Sequence, residues 1–389
     1  MARHDTASID GRVAVGIPVH NEVSLITPCL MALARQTVAE AFDVVLLLNN
    51  CSDGTELVVE RLARTLPYRL QVHEYWLDPD ILNAGVARRL AMLHAASFVG
   101  AAGVLLTTDA DACVPANWIE ANLRHIDAGC DAVAGMTRMD PDDEAMLPVH
   151  LGEEEARVMK FAFLLDEIDS LLDPCAHDPF PRHTEHSGAS IAVRAELHNR
   201  AGGFSGVSGG EDRRFFQSLQ LLDAKIRHAP EIVVTVSGRL TGRAAFGMAE
   251  TITRRMRQPD VWLDNDLESA SHRALRTGLR AALLRARTEG VTREGLAALA
   301  LSLRVTPALL ERALLARSFG AGWADLERVS PTLMRVPVRA EGLAHETAQA
   351  TRVLHDIKAE QALRVQEYPG DTAMFALAGG SAGLAALPE

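Results

Sequence analysis

The residues best suited to chemistry are two carboxylates one position apart, Asp109 and Asp111, in the segment TTDADACVPANWIEANL. They follow the apolar run Val104, Leu105 and Leu106 and precede Pro115. A strand sends residues i and i+2 to one face, so the pair can project together from the C-terminal end of that run. Like charges held so close call for a cation. An ion held by one or two carboxylates, waters and substrate phosphates is magnesium or manganese. A helix start is the competing reading, in which Asp111 or Asn117 caps a helix beginning near Pro115 and Asp109 is merely exposed. His183 and His186, in RHTEHSGAS, are a second chemical group, but no third ligand stands at zinc spacing from them.

The elements that must position the acidic pair show in the periodicity. Strand-like runs at 13–19, 42–48, 68–75 and 104–108 alternate with helical patterns at 22–35, 55–65 and 84–98. This order implies an α/β fold with a mostly parallel sheet and helices on both faces. Ligands of such sheets bind at the carboxyl ends of the strands. Three of those ends carry polar clusters that could share one crevice: His20, Asn21 and Glu22; Asn49, Asn50, Ser52 and Asp53; and the Asp109 and Asp111 pair.

Beyond these, 131–138 reads as a strand and 151–172 as an amphipathic helix with Glu153, Glu154, Glu155, Asp166 and Asp169 on its wet face. The proline-rich loop DPCAHDPFPRH follows as a candidate substrate wall, then a strand at 188–193. The glycine-rich GGFSGVSGGED leads into a helix at 212–222, and a last strand is expected at 231–236. The expected domains are therefore 1–247, carrying the sheet, and 248–389, a helical region rich in alanine, leucine and arginine. A face with Arg273, Arg276, Arg280 and Arg287 is expected to be solvated, with weak peripheral contact to anionic lipid as the alternative. REGLAALALSLRVTPALLERAL has a faint helix-turn-helix look, but packing explains its dense apolar pattern and DNA binding is not expected of so acidic a chain.

Composition narrows the partners. The 389 residues carry 39 Lys and Arg against 51 Asp and Glu, a formal net charge of -12, which argues against nucleic-acid binding. The five cysteines, Cys29, Cys51, Cys113, Cys130 and Cys175, are scattered without paired spacing and suit a reducing compartment. The polar start MARHDTASIDGR has no secretory signal, and the apolar runs at 95–106 and 374–387 fall short of the roughly 20 residues that span a bilayer. A cytoplasmic protein without a transmembrane segment is expected.

The segments VAVGIPVHNE, VVLLLNNCSDGT, NAGVARRLAML, LLTTDADACVPANWI, HSGASIAVRAE and AGGFSGVSGGED together resemble family-2 glycosyltransferases of the GT-A fold, soluble bacterial type. The likeness covers roughly residues 12–245 and leaves the C-terminal helices outside. It implies a Rossmann-like mixed sheet with a C-terminal helical extension. It also implies metal-dependent, inverting transfer of a sugar from a nucleotide-diphosphate donor to an unidentified acceptor hydroxyl. UDP-sugars are favoured as donors, with GDP- and dTDP-sugars compatible; whether the chain forms a homo-oligomer is left open.

Carried over residue by residue, the resemblance implies donor contacts at Pro18, His20, Glu22, Asn49 and Asn50, the last standing where many relatives have an aspartate beside the base. Asn83 and Arg88 resemble a motif that approaches base and phosphates, and Arg239 and Arg243 could clamp the leaving diphosphate. Asp109 and Asp111 match the Asp-x-Asp signature that binds ribose and metal-bridged diphosphate, with Mn2+ or Mg2+ as cofactor. Asp53 is expected to cap the helix after SDGT. Asp212, beside Glu211 in GGED, resembles the catalytic base, and its place at a helix start favours the ionised form. His186, Ser187 and Gly188 fall on the acceptor side. A nucleotidyltransferase, a glycosidase with paired carboxylates, and a non-catalytic sugar-nucleotide sensor are the alternatives.

Overall fold

The computed structural model describes residues 11–78, 80–81, 83–242 and 247–367. The chain forms two compact units. The first comprises residues up to Val149 with Glu185–Leu219 and Ala224–Gln258; the second comprises His150–Thr184, Gln220–Asp223 and the chain from Pro259. The boundary expected at 247/248 is thus not one cut, because residues 150–184 join the C-terminal helices.

The first unit holds an eight-stranded sheet in the order β3-β2-β1-β4-β7-β6-β8-β5. Its strands are β1 (Gly11–Val19), β2 (Phe42–Asn49), β3 (Arg69–Tyr75), β4 (Val99–Thr107), β5 (Ala112–Cys113), β6 (Ala132–Met139), β7 (Ile191–Arg194) and β8 (Ile226–Val236). β1, β2, β3 and β4 are parallel, β7 runs against both β4 and β6, and β8 is parallel to β6. This is the mixed sheet that the resemblance implies. Val13, Val15, Ile17, Val44, Leu46 and Leu48 are buried in one core with Val104 and Leu106, as strands covered on both faces require.

The chain's helices are α1 (Ile26–Ala34), α2 (Thr55–Leu62), α3 (Ala84–Ala96), α4 (Trp118–Asp127), α5 (Pro141–Ala145), α6 (Val149–Leu172), α7 (Ala195–Arg200), α8 (Glu211–Gln220), α9 (Met248–Arg257), α10 (Ala270–Glu289), α11 (Arg293–Ser302), α12 (Pro307–Leu314), α13 (Phe319–Val329) and α14 (Leu343–Glu367). Two strands exceed the expected runs. β4 begins at Val99, and its register with β1 shifts between Gly11 and Val13 because the Gly-Ala-Ala-Gly stretch offers little side chain to alternate. β8 begins at Ile226, where the polar Arg227 and His228 mask a strand although both are buried. No helix among the described residues is long and apolar enough to cross a membrane.

The second unit corrects two expectations. The arginine face of α10 is not a free solvated face, because its arginines are engaged by protein groups, among them Asp169, one of the acids read as the wet face of α6. Arg273 donates to Asp169 at 2.6 Å, Arg276 pairs with Glu268 and Glu327, and Arg280 pairs with Asp173. Arg287 donates to the carbonyls of Leu314 and Ala316 at 3.0 and 2.9 Å. Asp166 is buried, and desolvation lifts its carboxyl to about 7 against the opposing charge of Arg182. A face occupied by internal pairs offers little to a lipid surface. Leu296, Ala300, Leu303 and Leu310, from the helix-turn-helix-like segment, are buried in a core with Leu279 and Leu283, so packing accounts for their pattern.

Candidate functional site

The acidic pair does not lie on a strand. β4 ends at Thr107, and Asp109 and Asp111 occupy the turn between β4 and β5, closed by the Ala112 amide donating to the Asp109 carbonyl at 3.2 Å. The capping alternative fails as well, since α4 starts at Trp118 and its N-cap Asn117 makes no side-chain cap bond. Each carboxylate instead faces an arginine. Arg88 donates to Asp109 at 2.6 Å, and Arg239 reaches Asp111 at 2.9 Å. Arg239 also grips both oxygens of the buried Glu22, at 2.7 and 2.8 Å.

This gathers Glu22, from the end of β1, with the turn after β4 and the segment after β8. The charges do not fully balance: burial first, then Asp109 and Glu22, push the Asp111 carboxyl up to about 6 against the pull of Arg239. The side chains of Asp109 and Asp111 remain 34% and 21% exposed, so the excess negative charge is open to a ligand.

Asp212 stands in the first turn of α8, with its Oδ2 accepting from the Gly188 amide at 3.1 Å and its Oδ1 from the Arg213 amide at 2.7 Å. Burial and the neighbouring Glu211 raise its pKa; the two amides and Arg88 pull the other way. Glu211 itself is buried and accepts from Arg88 at 3.1 Å. It is a partner of that arginine and not a second free carboxylate. Arg88 thereby touches both the turn after β4 and the helix that carries Asp212.

The strand-end residues divide. Pro18 lies within β1 opposite Leu47, and His20 pairs through Nδ1 with the Asn49 carbonyl at 2.7 Å. Asn49 is buried with its Oδ1 unpartnered. Asn50 has a φ of 50°, which suits asparagine, and its amide is engaged: Oδ1 accepts from the Leu77 amide at 2.8 Å and Nδ2 donates to the Leu77 carbonyl at 2.9 Å. It fastens the chain after β3. Asn83 is the N-cap of α3, accepting from the Val86 amide at 2.9 Å. Asp53 accepts from the amides of Val23 and Thr55, both at 3.0 Å, but the N-cap of α2 is Gly54 and has no side-chain cap bond, so Asp53 steadies the helix start from the position before the cap and is not the cap expected.

On the other side, His186 stacks on Phe216 of α8 at 4.2 Å and meets His228 of β8, Nε2 to Nε2, at 3.1 Å. Ser187 accepts from the Ala189 amide at 3.3 Å. Arg243 lies outside the described residues. His228 and Thr107 are the site neighbours that sequence reasoning missed: both sit inside strands, where only pairing in space reveals them.

Residues 14–177 match the family described as Glycosyl transferase family 2. No curated protein matches it significantly. Among solved structures it is similar to S. aureus TarS 1-349 in complex with UDP, at 13% identity over 90% of this chain and 91% of that one, with a TM-score of 0.44. It is similar also to the mannosyltransferase PcManGT from Pyrobaculum calidifontis in complex with GDP-Man and Mn2+, at 19% identity over 97% and 88%, TM-score 0.43. A third is glucosyl-3-phosphoglycerate synthase from Mycobacterium tuberculosis, at 13% identity over 65% and 84%, TM-score 0.37.

Proposed function

We propose, from the match of residues 14–177 to family-2 glycosyl transferases, that this chain is a glycosyltransferase that moves a sugar from a nucleotide-diphosphate donor to an acceptor hydroxyl by a base-assisted single displacement with inversion. The observation that carries the reading is the joining, through Arg88, of the Asp109 turn to the first turn of α8 where Asp212 stands. Asp212 acts as the base. Its two amide contacts hold both carboxylate oxygens in place, and burial raises its affinity for the proton that the acceptor hydroxyl must lose. Gly188 orients one of those oxygens, with His186 and Ser187 beside it on the acceptor side.

Asp109 and Asp111 are the residues that would hold a divalent cation. Their donor set is oxygen only and the local charge is in negative excess. That fits Mg2+ or Mn2+, which complete their shells with water and phosphate oxygens. When bound there, such an ion offsets the charge growing on the leaving diphosphate. Arg239 stands beside the same carboxylates and suits the diphosphate oxygens once a cation has taken over Asp111. Asn50 has its amide engaged, so recognition of the base rests on other groups, and the donor is to be found by testing UDP-, GDP- and dTDP-sugars alike.

The test is a panel of those sugar nucleotides with Mn2+ or Mg2+, scored for slow hydrolysis and for transfer to a pool of acceptors. Release of a nucleoside diphosphate supports the reading; pyrophosphate release would favour a nucleotidyltransferase. Asp212→Asn should lower kcat by about 10²- to 10⁴-fold. Undiminished turnover in that variant removes Asp212 from the role of base.

A further inference from the structure

Arg88 is nearly wholly buried, yet its guanidinium meets four different parts of the first unit. Nη1 donates to the Thr107 hydroxyl at 2.9 Å and to the Gly188 carbonyl at 3.0 Å. Nη2 donates to Asp109 at 2.6 Å, and Nε to Glu211 at 3.1 Å. Thr107 passes the chain onward, its hydroxyl donating to the Gly16 carbonyl in β1 at 2.7 Å. Four of the five guanidinium N–H groups are thus engaged by the protein, which leaves little for a donor phosphate.

The fit around the guanidinium is tight. A Cβ on Gly188 would lie 2.4 Å from Nη2 and 2.5 Å from Cζ of Arg88, so no side chain at 188 coexists with the observed guanidinium. A Cβ on Gly85 would lie 2.3 Å from the Val207 carbonyl, and the missing side chain lets α3 meet the loop that leads into α8. The Gly188 residue is held from both ends: its carbonyl accepts from Arg88 while its amide donates to Asp212.

We propose that Arg88 is a positioning residue that fixes the Gly188 backbone and the first turn of α8 against Asp109, so that Asp212 and the phosphate-side turn keep one geometry. A buried ion pair is weak evidence of net stability, and fixing a unique arrangement is the role its four partners support. The proposal rests on the assignment of Asp109 and Asp212 above. Asp212 is faced by Glu211 on its own helix, by Arg88 from α3 and by the amides of Gly188 and Arg213.

The experiment follows the titration of the Asp212 carboxyl by 13C NMR in the ligand-free protein, with Asp212→Asn to assign the signal, alongside kcat and KM for the sugar nucleotide that turns over. Arg88→Gln removes a charge and a clamp, so the Asp212 midpoint should rise. Glu211→Gln keeps an oxygen for the Arg88 Nε and removes a negative neighbour, so the midpoint should fall. Gly188→Ala keeps every charge but displaces the guanidinium, and kcat should fall about 10²-fold with donor KM little changed, the expected cost of a misplacement near 1 Å.

A merely structural arginine would lower the active fraction in Arg88→Gln and leave the midpoints where they are. Unmoved midpoints in both Arg88→Gln and Glu211→Gln therefore overturn the proposal, as does a donor KM that rises at constant kcat in Gly188→Ala. Should Arg88→Gln fail to fold, Glu211→Gln and Gly188→Ala carry the test. Full turnover in Asp212→Asn would defeat the assignment of the base, whereas an inactive Asp212→Asn with unmoved midpoints would defeat only the role of Arg88.

Discussion

Asp111→Asn should make the ligand-free protein more stable at neutral pH while removing its response to divalent cations. The Asp111 carboxyl rises from an ordinary 3.8 to about 6 because burial, then Asp109, oppose its ionisation more than Arg239 favours it. A folded-state pKa above the unfolded value means that the native protein binds the extra proton between those two limits. The penalty for ionised Asp111 is therefore absent below about 4, grows as pH rises, and is complete above about 6. A lift of that size corresponds to about 3 kcal/mol, and with the side chain 21% exposed we expect about 1–3 kcal/mol in practice.

The assay is urea unfolding of wild type and Asp111→Asn at pH 8 and pH 4, with thermal unfolding as a second measure. Each kcal/mol is worth about 2–4 °C in Tm for a unit of this size. The variant should gain at pH 8 and gain nothing at pH 4. Excess Mn2+ should stabilise wild type more than the variant, since a ligand that binds only the folded state raises its stability. A variant less stable than wild type at pH 8, or a gain that is the same at both pH values, would refute the reasoning. Mn2+ affinity unaltered in Asp111→Asn would refute the metal role.

Two more outcomes test the rest of the framework. Glu268 is fully buried and faces Arg276, Arg273 at 3.5 Å and His272 at 3.1 Å, so Glu268→Ala takes one shared counter-charge from arginines that keep Glu327 and Asp169, and should cost about 1–3 kcal/mol by urea unfolding; no measurable loss would contradict the ion-pair account of the second unit. His73 and His94 stack 3.9 Å apart, and burial lowers the pKa of both, with the charge of His94 adding to the effect at His73. Histidines with depressed folded-state pKa values favour folding fully above about 6.5 and lose that contribution as pH falls below it. His94→Gln should flatten the fall of Tm between about pH 6.5 and 5, and an unchanged slope would count against the pair.

What the sequence determined by itself is local. Apolar runs placed β1, β2 and β3, and their alternation with helices pointed to a largely parallel sheet with its ligand side at the strand ends, because periodicity records which face of an element is buried. Short-range polar chemistry was legible only in part: Asp53 in SDGT holds the nearby Thr55 amide at the start of α2, but it also holds the Val23 amide from 30 residues away, and the cap itself is Gly54. Other polar contacts were not legible. Asn50 and Asn83, which the resemblance places at the donor, each also hold the chain together: one fastens the chain after β3 and the other caps α3.

Only the tertiary structure decided how the charges are shared. Arg88 meets Glu211 across 123 residues of chain, Arg239 meets Glu22 across 217, and Arg273 of α10 finds Asp169 of α6 across 104. No periodicity encodes such pairs, since each depends on which side chains the packed elements bring within a few ångströms and on how much water is excluded between them. Burial and neighbours set the proton affinities of Asp111 and Asp212. The i, i+2 spacing that first marked Asp109 and Asp111 says only that two acids are close; the turn after β4, with an arginine on each, is what makes them a candidate site.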